Sequence, residues 1–137
     1  QIFQSLHVGN SNPFSIVAFE AAYREGDQWL NALMQYLEAT RDFVVDYLKK
    51  NIPQIKMAIP EATYLLWLDC RDLGMTDIQL RDFFVKQCKV GMNPGIVFGD
   101  VGSGFMRMNI GTRRVNIEQA LLAIKEALPA MKGVQSD

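Results

Sequence analysis

Apolar positions recur at two different periods along the chain, and the periods sort it into helical and extended stretches. Gln1 to Pro13 has no clear period, and Gly9-Asn10-Ser11-Asn12-Pro13 reads as a loop. From Phe14 the pattern is helical: Phe14, Val17, Ala18, Ala21 and Ala22 recur at three and four residues. Glu25-Gly26-Asp27 interrupts it, with Gly26 suited to the C′ position of one helix and Asp27 to the cap of the next. Asp27 to Asn51 then reads as one long helix ended by Pro53. Leu30, Leu33, Leu37, Val44 and Leu48 form its apolar stripe, and Trp29, Tyr36, Phe43 and Tyr47 widen it. A stripe this broad predicts burial on more than one side, over a length of roughly 35 Å.

The period then shortens. Gln54 to Ile59 alternates as a short strand, Pro60-Glu61 is a turn, and Thr63 to Asp69 has the β-propensity of a central strand. Arg71 to Met75 is a loop. Thr76 and Gln79 stand at capping-box spacing and open a helix to about Gln87 that buries Leu80, Phe83 and Phe84. Cys88 to Met92 is expected as a short strand and the glycine-rich Asn93 to Gly104 as a loop. Phe105 to Ile110 is the last strand. A final helix runs from about Asn116 to Ala130, with Ile117, Leu121, Leu122, Ile124 and Leu128 apolar. This order predicts an α+β fold: a small, mostly antiparallel or mixed sheet packed with helices, with one long helix on the N-terminal side.

Composition narrows the function classes. A length of 137 residues suits one domain and is too short for a complete two-domain cleft. Fourteen Lys and Arg against fifteen Asp and Glu leave no basic excess for nucleic acid and no acidic tail. The longest apolar runs, such as Ala62 to Leu68, fall far short of the ~18 residues of a membrane helix. Cys70 and Cys88 form no CxxC pair and His7 is the single histidine, so no metal site is expected. Two reduced thiols fit a cytoplasmic protein. The start at Gln1, without an initiator Met or a signal-peptide pattern, suggests a piece of something longer.

Few residues carry a chemical signal. Gly99-Asp100-Val101-Gly102-Ser103-Gly104 has GxxGxG spacing and precedes a strand, whereas a dinucleotide fingerprint is GxGxxG opening a helix; a mobile turn is the plainer reading. Asp69, Asp72 and Asp77 flank a loop and suit turn and cap chemistry. Arg107 is more informative. Alternation on the strand Phe105-Met106-Arg107-Met108-Asn109-Ile110 puts it on a face with Phe105 and Asn109, while Met106, Met108 and Ile110 point into the core. A guanidinium among apolar neighbours needs a partner. Its planar fork matches a carboxylate, either one of the chain's own or a ligand's.

Ordered segments across nearly the whole chain complete the picture. They are Asn12-Pro13-Phe14, Ala21-Ala22-Tyr23, Gly26 with Trp29-Leu30, Tyr36-Leu37, Tyr47-Leu48, the run Pro60 to Asp69, Asn93-Pro94-Gly95, Phe98-Gly99, Gly104 to Gly111, and Arg114. In this order and spacing the chain resembles the C-terminal small domain of fold-type I pyridoxal-phosphate enzymes, the class I/II aminotransferase family, and within it the cystathionine β-lyase (C–S β-lyase) branch. It departs from the family pattern at Ala62, where glycine is common, and at Thr112-Arg113, where Cys-Pro is common.

The resemblance implies that Arg107 binds the α-carboxylate of an amino-acid substrate. It also implies that Tyr64, Asn93, Pro94 and Gly95 lie near the cleft mouth, although Tyr64 could equally be a core aromatic and the loop a plain turn. The parent is implied to use pyridoxal 5'-phosphate bonded to a lysine in a Ser/Thr-rich motif. None of the seven lysines, Lys49, Lys50, Lys56, Lys86, Lys89, Lys125 and Lys132, stands in such a motif. No catalytic or cofactor-binding residue is therefore expected within this chain, and the fragment alone is expected to be inactive. Residues 1–26 would link to a missing large domain, and residues 27–137 would be the small domain of a cytoplasmic, homodimeric parent. The alternative is a free-standing, non-catalytic α+β binding or dimerisation module.

Overall fold

The computed structural model describes residues 12–131, so the expectations that rest on His7, on the segment before Asn12 and on Lys132 lie outside the described residues. The chain divides into two compact units, Gln1–Tyr36 and Leu37–Asp137.

In the first unit, helix α1 spans Pro13–Glu25. The Asn12 side chain caps it by accepting from the Phe14 amide at 2.9 Å, and Pro13 supplies the preset φ of a first helical residue. Gly26 ends it in a right-handed conformation, not the left-handed one that commonly favours glycine at a helix end. Glycine is needed there for space, since a Cβ would overlap the Ala22 carbonyl oxygen. Helix α2 spans Asp27–Asn51. The Leu30 amide donates to the Gly26 carbonyl, so the cap falls one residue before Asp27. No residue of α1 is buried, and Trp29 and Leu30 on α2 are exposed. The expected all-round burial of α2 is therefore confined to Leu37, Thr40, Val44, Val45 and Leu48, all in the second unit. A periodic stripe encodes the capacity for burial, and the covering surface must come from elsewhere in the fold.

The second unit is built on a four-stranded, wholly antiparallel sheet in the order β1-β2-β4-β3. Strand β1 is only Lys56–Met57, shorter than the expected 54–59, because the Ile55 amide is turned back to the Ile52 carbonyl. Strand β2, Leu65–Asp69, starts two residues later than expected: Thr63 has a φ of 71°, outside the extended region. Strand β4 is Phe105–Asn109. The expected strand at Cys88–Met92 is not formed. Helix α3, Asp77–Asp82, runs on into a π-helical turn over Phe83–Gln87. The Cys88 amide closes that turn on the Phe83 carbonyl, and Lys89 at φ 58° then breaks the path of the chain. Strand β3 is instead Asn93–Pro94, inside the stretch expected as loop, paired to β4 as Asn93↔Arg107 and Pro94↔Met106.

The capping box forms as expected. Thr76 Oγ1 accepts from the Gln79 amide, and Gln79 Oε1 accepts from the Thr76 amide at 2.9 Å. Helix α4 spans Arg114–Met131, with Ile117, Leu121 and Ile124 buried. Arg114 at its start donates to the fully buried hydroxyl of Thr40, and Lys125 donates to Asn51, so polar contacts tie α4 to α2. Leu66, Leu68, Met106 and Met108 on one sheet face are buried, as are Ile110, Leu48, Leu80, Phe83 and Phe84. At ~25 cal/mol per Å² of apolar surface, side chains of this size each contribute roughly 1.5–3 kcal/mol on burial. Arg107 stands on the other face.

Candidate functional site

The β2–β4 register sets the site. Leu65 pairs with Asn109, Trp67 with Arg107 and Asp69 with Phe105, which places all six side chains on the face away from the core. The glycine-rich segment then brings a seventh. Two short 3₁₀ turns, Gly95–Phe98 and Asp100–Gly102, are joined through Gly99 at φ 125°. Gly95 and Gly102 approach so closely that a Cβ on Gly102 would overlap the Gly95 carbonyl oxygen, and one on Gly95 the Gly102 oxygen. The end of this segment is pinned: Asp77 accepts from the Ser103 hydroxyl at 2.8 Å and from the Gly104 amide at 2.9 Å. It leads into β4 and not into a helix, so it lacks the phosphate-binding geometry of a strand–loop–helix motif.

This loop sets Phe98 beside Trp67, with ring centroids 5.8 Å apart edge-on, and Trp67 stacks on Phe105 at 5.7 Å. A cation lies on each outer ring. The Arg71 Cζ is 4.8 Å from the Phe105 centroid, and the Arg107 Cζ is 4.4 Å from the Phe98 centroid. The row reads Arg71, Phe105, Trp67, Phe98, Arg107.

Arg107 is half-buried, and its hydrogen bonding is incomplete. Nη2 donates to the Asn93 Oδ1 at 3.0 Å. Nε is buried and has no hydrogen-bond partner. Among the described residues no carboxylate lies within ion-pair distance of it, whereas Arg24, Arg41, Arg71 and Arg81 each have at least one. A cation without a carboxylate of its own suits an external anion, while its Nε–H, shielded from solvent, stays unsatisfied. A carboxylate is the natural match for its planar fork.

The other expected site residues are distributed as follows. Asn93 bonds Arg107 directly. Pro94 follows it in β3, opposite Met106, and buried Gly95 makes the tight loop crossing. Tyr64 is half-exposed beyond the end of β2. Its carbonyl accepts from the Ile110 amide and its ring lies by Gly111, three register positions from the Trp67–Arg107 pair. Phe98 and Trp67 are the site residues that residue-type reasoning passed over. Their aromatic character was visible, but no local spacing announces that they meet Arg107.

All six described lysines are exposed. Lys56 pairs with Asp72, Lys86 with Asp82, and Lys125 donates to Asn51. A lysine that bonds an aldehyde cofactor needs a desolvated setting, which these lack, so the described residues do not fit pyridoxal phosphate as its holder. Among the described residues no cluster of His, Cys, Asp and Glu could hold a metal ion, and no described helix is long and apolar enough to cross a membrane.

The chain matches no protein-family model. Comparison with individual proteins is more informative. Cystathionine beta-lyase PatB of Bacillus subtilis (strain 168) is 38% identical over 121 residues, covering 88% of this chain and 31% of that protein. Protein MalY of Escherichia coli (strain K12) is 35% identical over 126 residues, covering 90% of this chain and 32% of that protein. Among solved structures, the PLP-bound C–S lyase from Staphylococcus hominis complexed with L-cycloserine superposes with a TM-score of 0.82 at 34% identity, over 93% of this chain and 31% of that one. Cystalysin from Treponema denticola, whose structure contains pyridoxal 5'-phosphate, gives a TM-score of 0.85 at 29% identity, over 88% and 30%. The chain thus spans about a third of the length of the relatives it matches.

Proposed function

From homology over most of its length to cystathionine β-lyases and PLP-bound C–S lyases, we propose that this chain is the small domain of a pyridoxal-phosphate-dependent C–S β-lyase or aminotransferase acting on amino acids. In this reading residues 27–137 form the small domain, and residues 1–26 link it to a large domain that carries the cofactor. The cofactor, when bound by the parent, supplies the electron sink for chemistry at the substrate's α-carbon.

The contribution of this chain is orientation. Arg107 binds the substrate α-carboxylate and so fixes which bond faces the reacting centre. The observation that carries this is the half-buried guanidinium that has no carboxylate within ion-pair distance among the described residues. Tyr64 and the Asn93-Pro94-Gly95 segment would then border the cleft.

The test is steady-state kinetics of Arg107→Ala in the full-length enzyme. Losing a charge-assisted, two-pronged contact costs about 3 kcal/mol, a fall on the order of 100-fold in kcat/KM, carried mainly by KM. Unchanged kinetics would remove the assignment. A second test is the parent sequence: a gene without a Ser/Thr-flanked lysine encoded ahead of Gln1 would sink the pyridoxal-phosphate reading.

A further inference from the structure

Arg107 has the longest-reaching side chain of its sheet face, and a flexible cation alone makes a poor template for a planar carboxylate. Two contacts limit it. Asn93 takes one edge through Nη2, and Phe98 covers one face at 4.4 Å. Asn93 is held by its strand register with Arg107 itself. Phe98 is half-exposed and sits on a loop, so its own support needs explanation. That support is doubled. Trp67 meets the Phe98 ring edge-on, and the Gly95–Gly102 crossing, closed by Asp77 on Ser103 and Gly104, holds the two turns that present it. A tight loop that presents an aromatic to a guanidinium face restricts that guanidinium.

We infer that Phe98 is a positioning residue for ligand binding, acting through Arg107 by holding the plane of its guanidinium. The ring's negative face attracts the cation and covers one of its faces, so the guanidinium presents its remaining donors in a fixed plane. This rests on the reading of Arg107 as a carboxylate receptor.

The experiment uses the full-length enzyme with Phe98→Leu, which keeps apolar bulk but loses the π-face, and Phe98→Tyr, which keeps the ring. Phe98→Leu should raise KM for the amino-acid substrate about threefold to tenfold, with kcat within about twofold. Phe98→Tyr should stay near wild type. In an Arg107→Ala background Phe98→Leu should change nothing further, because the effect passes through Arg107. A wild-type KM in Phe98→Leu, or a full additional loss in the Arg107→Ala background, overturns the inference. A second readout is independent of turnover: the Arg107 Nε–H resonance should be sharp in wild type and Phe98→Tyr, and broadened or exchange-averaged in Phe98→Leu. If Arg107→Ala itself leaves KM unchanged, the carboxylate reading has failed. The resonance then decides alone whether Phe98 positions the guanidinium, an unaltered signal in Phe98→Leu overturning it.

Discussion

Arg71 and Arg107 occupy the two ends of one aromatic row and meet it in the same way, each with its guanidinium over a phenylalanine ring. Their other partners differ. Arg71 is answered from within the chain: Asp69 takes Nε at 2.9 Å and Nη2 at 2.7 Å, a complete fork-to-carboxylate pair. Arg107 has an asparagine on Nη2 and nothing on Nε. The same cradle thus holds one arginine already neutralised and one still electrostatically unanswered. The contrast separates an arginine that the chain itself pairs from one that no carboxylate among the described residues reaches: ring contact is common to both, and the supply of a carboxylate is not.

The comparison can be broken most directly by removing each cation in the full-length enzyme. Arg107→Ala is expected to lower kcat/KM on the order of 100-fold, while Arg71→Ala should stay within about threefold, since its charge is already paired. Equal effects would erase the distinction. A somewhat smaller change comes from the loop. Gly95→Ala forces a Cβ into the Gly102 oxygen and against Phe105, both too close to accommodate it. Such overpacking costs about 1–3 kcal/mol in denaturant unfolding, and the KM should rise as Phe98 is displaced. Full stability in that variant would mean the crossing is not tight.

Asn93→Asp sharpens the comparison by making Arg107 resemble Arg71. An internal carboxylate on Nη2 would compete with the ligand, and KM should rise on the order of tenfold without loss of fold. An unchanged KM would show that the ligand does not need this edge.

At the other end, the Arg71 guanidinium holds the Asp69 carboxyl below its ordinary range, chiefly through their side-chain hydrogen bond and against the effect of burial. A carboxylate depressed in the folded state adds stability that is complete above the unfolded value of about 4 and is lost as pH falls through the lower folded value. Asp69→Asn should therefore cost no more than about 3 °C in Tm at pH 7, because Arg71 is mostly exposed, and the difference from wild type should close in acid. A gap that persists or widens at low pH would contradict the pairing.

The smallest effect concerns the thiols. Burial pushes Cys70 up to about 12 and Cys88 to about 11. Both should resist alkylation at pH 8 until the protein is denatured. Folded-state stability should decline as pH rises above about 9, where only the unfolded chain ionises them.

Much of this site was legible in the chain. The Thr76–Gln79 spacing announced its capping box, and the alternation Phe105 to Ile110 set Arg107 against Met106 and Met108. What failed was the stretch between Cys88 and Gly104. Strand β3 has only two residues, one of them proline, and carries no period at all; it exists because β4 pairs with it. The expected strand just before it does not form, because Cys88 closes the preceding π-helical turn on Phe83 and Lys89 takes a positive φ. On α2 the stripe marked apolar residues correctly, but Trp29 and Leu30 find no cover among the described residues.

By itself, then, the sequence determined the α+β class, the capped helices and the face on which Arg107 stands, because periodicity and capping are properties of residues a few positions apart. Only the tertiary structure decided that Asn93 and Phe98 are its neighbours, and that Asp69 went to Arg71. Those outcomes depend on strand register and on the close crossing of Gly95 and Gly102. Pairing between segments is chosen by the packing of the whole unit, and no local pattern records which distant side chain will reach a guanidinium first.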